Sequence, residues 1–277
     1  MKETGSATAV GAATLKAAHQ LIDGDEKLLN DPVILKLLGP ETEEYLNDYN
    51  YHFFTGASMA LRTHVLLRSR YTEDCSAEAY QKGLRQFLFL GAGLETFAYR
   101  QPEWARGINI VEADHPTSQA DKIQRLNNAG IIPPQNLSFI AVDFESDDLS
   151  EVFRKSKLNL KEPVFTACLG VLIYLTRDTA DKIFHFLGGL PKGSEFIFSA
   201  SQNKDNAWAT RAAERSAAAG EPWITYFEPD ELIKLLKGCG FTKVSFLTTE
   251  ETEKLYFEGT RIRLPLPARA SIVRAVI

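Results

Sequence analysis

Apolar residues follow two regimes along the chain, and the period changes near residue 84. Before that point they recur at helical spacing in Ala12 to Ile22 and Met59 to Leu67, and as a compact run at Val33 to Leu38. Asp31-Pro32 reads as an N-cap followed by proline at the first helical position, and Gly39-Pro40 as the stop. Residues 1–83 contain no strong strand pattern, which predicts a helical extension packed against the remainder. From Arg85 onward short apolar runs alternate with helical patterns. Phe87 to Leu90, Ile108 to Ala113, Leu137 to Val142, Pro163 to Leu169, Glu195 to Ala200, Phe241 to Leu247 and Ala270 to Val276 read as strands. Pro116 to Gly130, Asp147 to Lys155, the segment capped by Thr176 and Glu228 to Lys237 read as helices. This alternation predicts an α/β protein with about seven strands in a mostly parallel sheet. Residues 203–220 form an alanine-rich amphipathic pattern. With Trp208, Trp223, Tyr226 and Phe227 they read either as a helical, aromatic lid over 203–228 or as core packing of an added helix pair.

The sharpest punctuation is in QFLFLGAGLETFAYR, residues 86–100, where a buried-strand pattern stops at Gly91-Ala92-Gly93. Two glycines one residue apart allow a tight turn and let a ligand approach the backbone. A helix is expected next, completing the first unit of a doubly wound nucleotide-binding sheet. The following strand ends in Glu112 and Asp114, about twenty residues beyond the glycines, where a carboxylate is placed to accept from both ribose hydroxyls.

Composition narrows the function classes. The chain has 277 residues, 44% of them hydrophobic, enough for one large α/β domain over 1–277. A net charge of −5 without any basic run argues against nucleic acid or an anionic membrane as partner. Cys75, Cys168 and Cys239 form no CxxC pair and read as core thiols in a reducing, cytoplasmic setting. His19, His52, His64, His115 and His185 lack metal-ligand spacing, so no metal is expected. No leader-like segment or membrane-length apolar run occurs.

A glycine turn of this kind serves either a dinucleotide or S-adenosylmethionine. The dinucleotide pattern wants a third glycine or alanine where Thr96 stands, and Glu95 beside it would repel a pyrophosphate. No Tyr-x-x-x-Lys is present to support hydride transfer. Both features tilt the choice toward a methyl donor, with a nicotinamide-dependent oxidoreductase as the rival.

The blocks RSRYTEDC (68–75), GLRQFLFLGAGLETFAYRQP, VEADHPTSQADK, VDFESDDL and CLGVLIYLT together resemble the leucine carboxyl methyltransferase family. The likeness is greatest to bacterial and fungal members similar to the tetracenomycin polyketide-synthesis O-methyltransferase. The resemblance implies a Rossmann-like class I methyltransferase, a three-layer sandwich with an 84–277 core, and S-adenosyl-L-methionine as cofactor. It implies that Arg68 clamps the methionine carboxylate, Gly91 and Gly93 line the methionine and ribose, and Asp114, with Glu112, holds the ribose hydroxyls. Asp143 and Phe144 would flank the adenine. Leu169 stands where phosphatase-methylating members carry glutamate, which counts against a phosphatase tail as acceptor. The family's early donor-binding lysine has no secure match, Lys16 and Arg62 being the candidates.

The acceptor expected from this reading is a small carboxylic acid or a phenol. A carboxylate is ionised at neutral pH, so positioning supplies most of the rate and no dedicated base is assigned. A phenol would need one, for which His115 is the candidate near a strand end, and Tyr174, just past the fourth strand, is a further acceptor-side candidate. A catalytically silent member that only binds the donor is the second rival.

Overall fold

A computed structural model describes residues 5–202, 213–214, 216–269 and 271–277. The leading residues fold into α1 (Ala7–Ile22), α2 (Val33–Leu38), α3 (Pro40–Asp48) and the long α4 (Gly56–Gln81). Each start has a local cause. Ser6 accepts from Ala9 N in α1, the Asp31 carboxylate accepts from Ile34 N at α2, and Thr55 caps α4. Gly39-Pro40 does more than stop α2: Gly39 turns the chain at φ 90° and Pro40 opens α3, a position where its missing N–H costs nothing. The pattern expected from Met59 to Leu67 is the middle of a 26-residue helix that carries Arg68 on its inner face.

All seven expected strands form one sheet: β1 (Gln86–Leu90), β2 (Asn109–Asp114), β3 (Leu137–Ala141), β4 (Phe165–Cys168), β5 (Glu195–Ser199), β6 (Lys243–Phe246) and β7 (Ile272–Val276). Their spatial order is β3-β2-β1-β4-β5-β7-β6, parallel except that β7 runs antiparallel to β5 and β6. β1 is central, with Phe89 opposite Glu112 on one side and Ala167 on the other. The helices α5 (Pro116–Asn128), α6 (Leu149–Arg154), α7 (Arg177–Gly188), α8 (Pro229–Gly238) and α9 (Thr249–Tyr256) complete the layers. Alternate side chains of the buried strands enter two cores. Leu88, Leu90, Val111, Phe196 and Phe198 pack with Ile183, Phe184 and Leu236 of α7 and α8. Phe87, Phe89, Ile110, Phe165 and Ile197 pack on the other face with Leu66 and Leu67 of α4. A third core, including Ala17, Ile34, Leu46 and Leu126, ties the extension to α5.

One expectation fails. No α-helix follows the glycine turn; the chain passes through the 3₁₀ turns Phe97–Tyr99 and Glu103–Gly107 to β2. The cause is local: the Glu95 carboxylate accepts from Thr96 N (2.8 Å) and Phe97 N (3.0 Å), and the Thr96 hydroxyl donates to buried Asp31 (2.6 Å). These bonds tie the segment to itself and to the start of α2 in place of a helical register. No described helix is long and apolar enough to cross a membrane.

Candidate functional site

A cavity of about 2330 Å³ lies over the carboxyl ends of the parallel strands, bordered by α1, α4 and the turns after β1, β2, β4 and β5. Ordinary small-molecule sites span ~300–1,000 Å³, so the space exceeds what one ligand of that size needs.

Gly91 and Gly93 turn the chain at its floor with φ of 64° and 50°. Any side chain on Gly91 would collide with Val171, so both the conformation and the space require glycine. The turn is held to β2 by Gly91 N donating to Ala113 O (2.8 Å) and Gly93 N donating to Asp114 Oδ2 (2.5 Å). His115 N donates to the other Asp114 oxygen at 2.7 Å. Each oxygen thus has one backbone donor and keeps capacity for another hydrogen bond. Burial raises the Asp114 pKa above its ordinary value, against the pull of those donors. A diol that donates to both oxygens would offset that penalty.

Arg68 faces the same cavity from α4. Among the described residues no carboxylate pairs with its guanidinium, and no hydrogen bond reaches it, yet its nitrogens are not sealed from the cavity. Burial lowers its pKa, with Tyr174, Glu95 and Cys168 acting in the opposite sense. A guanidinium stays charged, so this is a desolvated cation open to an incoming anion. Room for it comes from Gly170, at φ 74°, where a side chain would overlap Arg68 Nη1.

The other expected positions divide. Asp143, Phe144 and Leu169 border the cavity, as do Lys16, His115 and Tyr174. Asp143 Oδ1 accepts from Glu145 N at 3.0 Å, and Phe144 is buried. Lys16 Nζ sits 3.3 Å from Glu95, whose pKa is held down at about 2 by Lys16 and Arg100 against the opposing effect of burial. Glu95 is therefore an ionised, paired carboxylate at the edge of the cavity. His115 is the N-cap of α5, with Nδ1 2.8 Å from the Thr117 hydroxyl, and that nitrogen is committed to the turn.

Two placements correct the sequence reading, and a third selects between its alternatives. Glu112 is buried away from the cavity, 2.5 Å from Lys122 Nζ, and is not available to a ribose. Arg62 is spent on Asp23 through two 2.7 Å bonds and on Phe53 O at 2.8 Å. Phe227 follows the second of the two readings offered for its segment, packing in the core against Phe184. Trp223 and Tyr226 do border the cavity, and Trp223 Nε1 donates to Tyr174 Oη at 3.3 Å. Trp208 and most of residues 203–220, which carry the amphipathic pattern, lie outside the described residues. His64 was not singled out from sequence, yet it lines the cavity from the Arg68 face of α4. No group of three or more possible metal-binding side chains occurs among the described residues.

The glycine turn lacks the helix N-terminus that a pyrophosphate would need, while a desolvated guanidinium and a paired-donor carboxylate flank it. That combination on this sheet is the arrangement expected of a class I methyltransferase. The model of the leucine carboxyl methyltransferase family matches residues 9–188, and the chain belongs to that family. It is 30% identical over 220 residues to YktD of Bacillus subtilis (strain 168), which carries the name of an S-adenosyl-L-methionine-dependent methyltransferase; the match covers 75% of this chain and 70% of that protein. A Mycobacterium avium (strain 104) protein of the same designation is 28% identical over 228 residues, covering 79% and 73%. In fold, the chain is similar to a DUF574 family protein from Streptomyces avermitilis (TM-score 0.57, 16% identity, 96% and 95% covered). It is also similar to a protein from Thermobifida fusca YX solved as a methyltransferase (TM-score 0.55, 18% identity, 99% and 96% covered).

Proposed function

We propose that this S-adenosyl-L-methionine-dependent methyltransferase transfers the donor methyl group to a carboxylate oxygen of a small acidic or aromatic, polyketide-like metabolite. The observation that carries the donor side is the Arg68 guanidinium, without a counter-ion among the described residues, opening onto the cavity that Asp114 also borders. Arg68 holds the methionine carboxylate, the Gly91 to Gly93 backbone lies against the methionine and ribose, and Asp114 accepts from the ribose hydroxyls. Phe144 offers an apolar face to the adenine, and Asp143 accepts from its amino group. The donor's sulfonium supplies an activated methyl group when bound.

On the acceptor side, this chain's residues have to bind, orient and exclude water. Tyr174, Trp223 and Tyr226 border the cavity and are the residues assigned to the acceptor. A carboxylate needs no proton removed, and its charge disappears together with the sulfonium charge, so a low-dielectric pocket favours transfer. A phenol would need a base. His64, held at about 3 by burial and by Arg68, is too weak to serve, and His115 is engaged in its helix cap.

The test is titration with S-adenosylhomocysteine and with NADPH, followed by transfer from labelled donor to a panel of aromatic acids. S-adenosylhomocysteine binding and labelled ester are expected. NADPH binding without S-adenosylhomocysteine binding would overturn methyl transfer, and donor binding with no product on any acid would favour the silent-member reading.

A further inference from the structure

His64 and Arg68 are one helical turn apart on α4 and share a face, and both border the cavity. Arg68 is accounted for by the donor; His64 is not. Its Nδ1 lies 3.3 Å from the Ser271 hydroxyl, so the ring is fixed by a second element, the segment leading into β7. Nε2 makes no hydrogen bond among the described residues and is not one of the sealed unpartnered atoms, so it opens onto the cavity. A ring nitrogen open to the cavity and without a partner there is free to bond a polar group that enters it. Ser271 also borders the cavity and lies beyond the stretch matched by the family model.

We infer that His64 is the residue that receives the methyl acceptor, its Nε2–H donating to one carboxylate oxygen while the other oxygen is left facing the donor methyl. This role requires the ring proton on Nε2, the tautomer in which Nδ1 accepts from the Ser271 hydroxyl. Burial, reinforced by the Arg68 charge, keeps the ring neutral. Neutrality suits the reaction. The carboxylate oxygen forms its bond to the methyl carbon with its own electron pair, and the carbon–sulfur pair goes to sulfur, so no proton moves and both formal charges vanish. A cationic partner would stabilise the ionised acceptor and lose that attraction at the transition state; a neutral N–H orients the acceptor with less ground-state stabilisation. This assignment rests on the carboxylate reading above.

The test uses the full chain as His64→Leu, His64→Gln and Ser271→Ala variants. S-adenosylhomocysteine affinity is measured by calorimetry, and kcat and KM are measured with labelled donor on benzoate, salicylate and 1-naphthoate. S-adenosylhomocysteine affinity is expected to stay within about twofold of wild type in all three. For each acid used by the wild type, His64→Leu should lower kcat/KM about ten- to a hundredfold, as for loss of a hydrogen bond to a charged group. His64→Gln, which keeps a donor, should recover part of this, and Ser271→Ala should fall between. A His64→Leu protein with unchanged kcat/KM, or one whose loss is matched by an equal loss of S-adenosylhomocysteine affinity, overturns the assignment. If His64→Leu does not fold, the glutamine and Ser271→Ala variants decide, wild-type kinetics in both being the adverse result. A wild type that binds S-adenosylhomocysteine but methylates none of the acids overturns the carboxylate reading itself, and this assignment with it.

Discussion

Gly170 and Arg68 meet so closely that a side chain on the first would occupy the space of the second's guanidinium. Gly170→Ala should therefore displace Arg68 and weaken S-adenosylhomocysteine binding by about tenfold or more, the scale of a disturbed charge-assisted pair. It also places a Cβ at φ 74°, which costs ~1–2 kcal/mol of stability by itself. Gly259→Ala is the control: the same kind of backbone at φ 75°, with open space around it. Calorimetry and thermal melts on both should show a shared loss of stability and a loss of affinity confined to Gly170→Ala.

The two ends of the donor can be separated with ligand fragments. Methylthioadenosine keeps the ribose but has no amino-acid carboxylate. Arg68→Ala should weaken S-adenosylhomocysteine binding ~10–100-fold and leave methylthioadenosine unaffected, whereas Asp114→Asn should weaken both. Equal effects of Arg68→Ala on the two ligands would remove Arg68 from the carboxylate end.

The Glu112–Lys122 pair sits beside the site without belonging to it. Both side chains are buried and 2.5 Å apart, and Lys122 also donates to Glu95 O at 2.7 Å. Lys122→Met leaves a buried carboxylate unpaired and should cost ~3–5 kcal/mol in urea unfolding. The double variant Glu112→Leu/Lys122→Met should recover a large part of that loss. Methylthioadenosine affinity, measured on whatever fraction folds, should stay near wild type.

Acid sensitivity carries the mark of His64. Its folded pKa of about 3 lies below the ordinary 6.5 of the unfolded chain, so between these values the unfolded chain binds a proton that the fold does not. The contribution to stability is complete above pH 6.5 and drains away as pH falls toward 3, by up to ~1.4 kcal/mol per pH unit. Glu95, depressed from 4.5 to about 2, adds its own loss only below its ordinary value. His19, also depressed by burial, titrates in the same direction as His64, so the comparison has to be wild type against His64→Asn. Melting temperatures between pH 6.5 and 4.5 should fall less steeply in the variant.

The strands were readable because those at the centre of a parallel sheet are buried on both faces, which writes itself as continuous apolar runs such as Phe87 to Leu90 and Phe196 to Phe198. The glycine turn and Asp114 were readable for a similar reason, since backbone conformation and strand-end position are local properties. What escaped depends on partners far away in the chain. Glu112 and Asp114 share a face of β2, and only Lys122 from α5 draws the first inward. Arg62 is claimed by Asp23, 39 residues earlier. The helix expected after the turn is replaced because Glu95 binds the next two backbone N–H groups itself. Helix α9 did have a local signal, the capping box of Thr248 with Glu251, and so did His64, at i,i+4 spacing from Arg68.

Helix α1 supplies one wall of the cavity and brings Lys16 to Glu95 at its rim. Any molecule settled against that wall binds only while the helix is docked, so ligand occupancy and attachment of the leading segment are thermodynamically linked. Protease added to the loaded protein would then find the first stretch of chain shielded, and removing the ligand by dialysis would restore its cleavage.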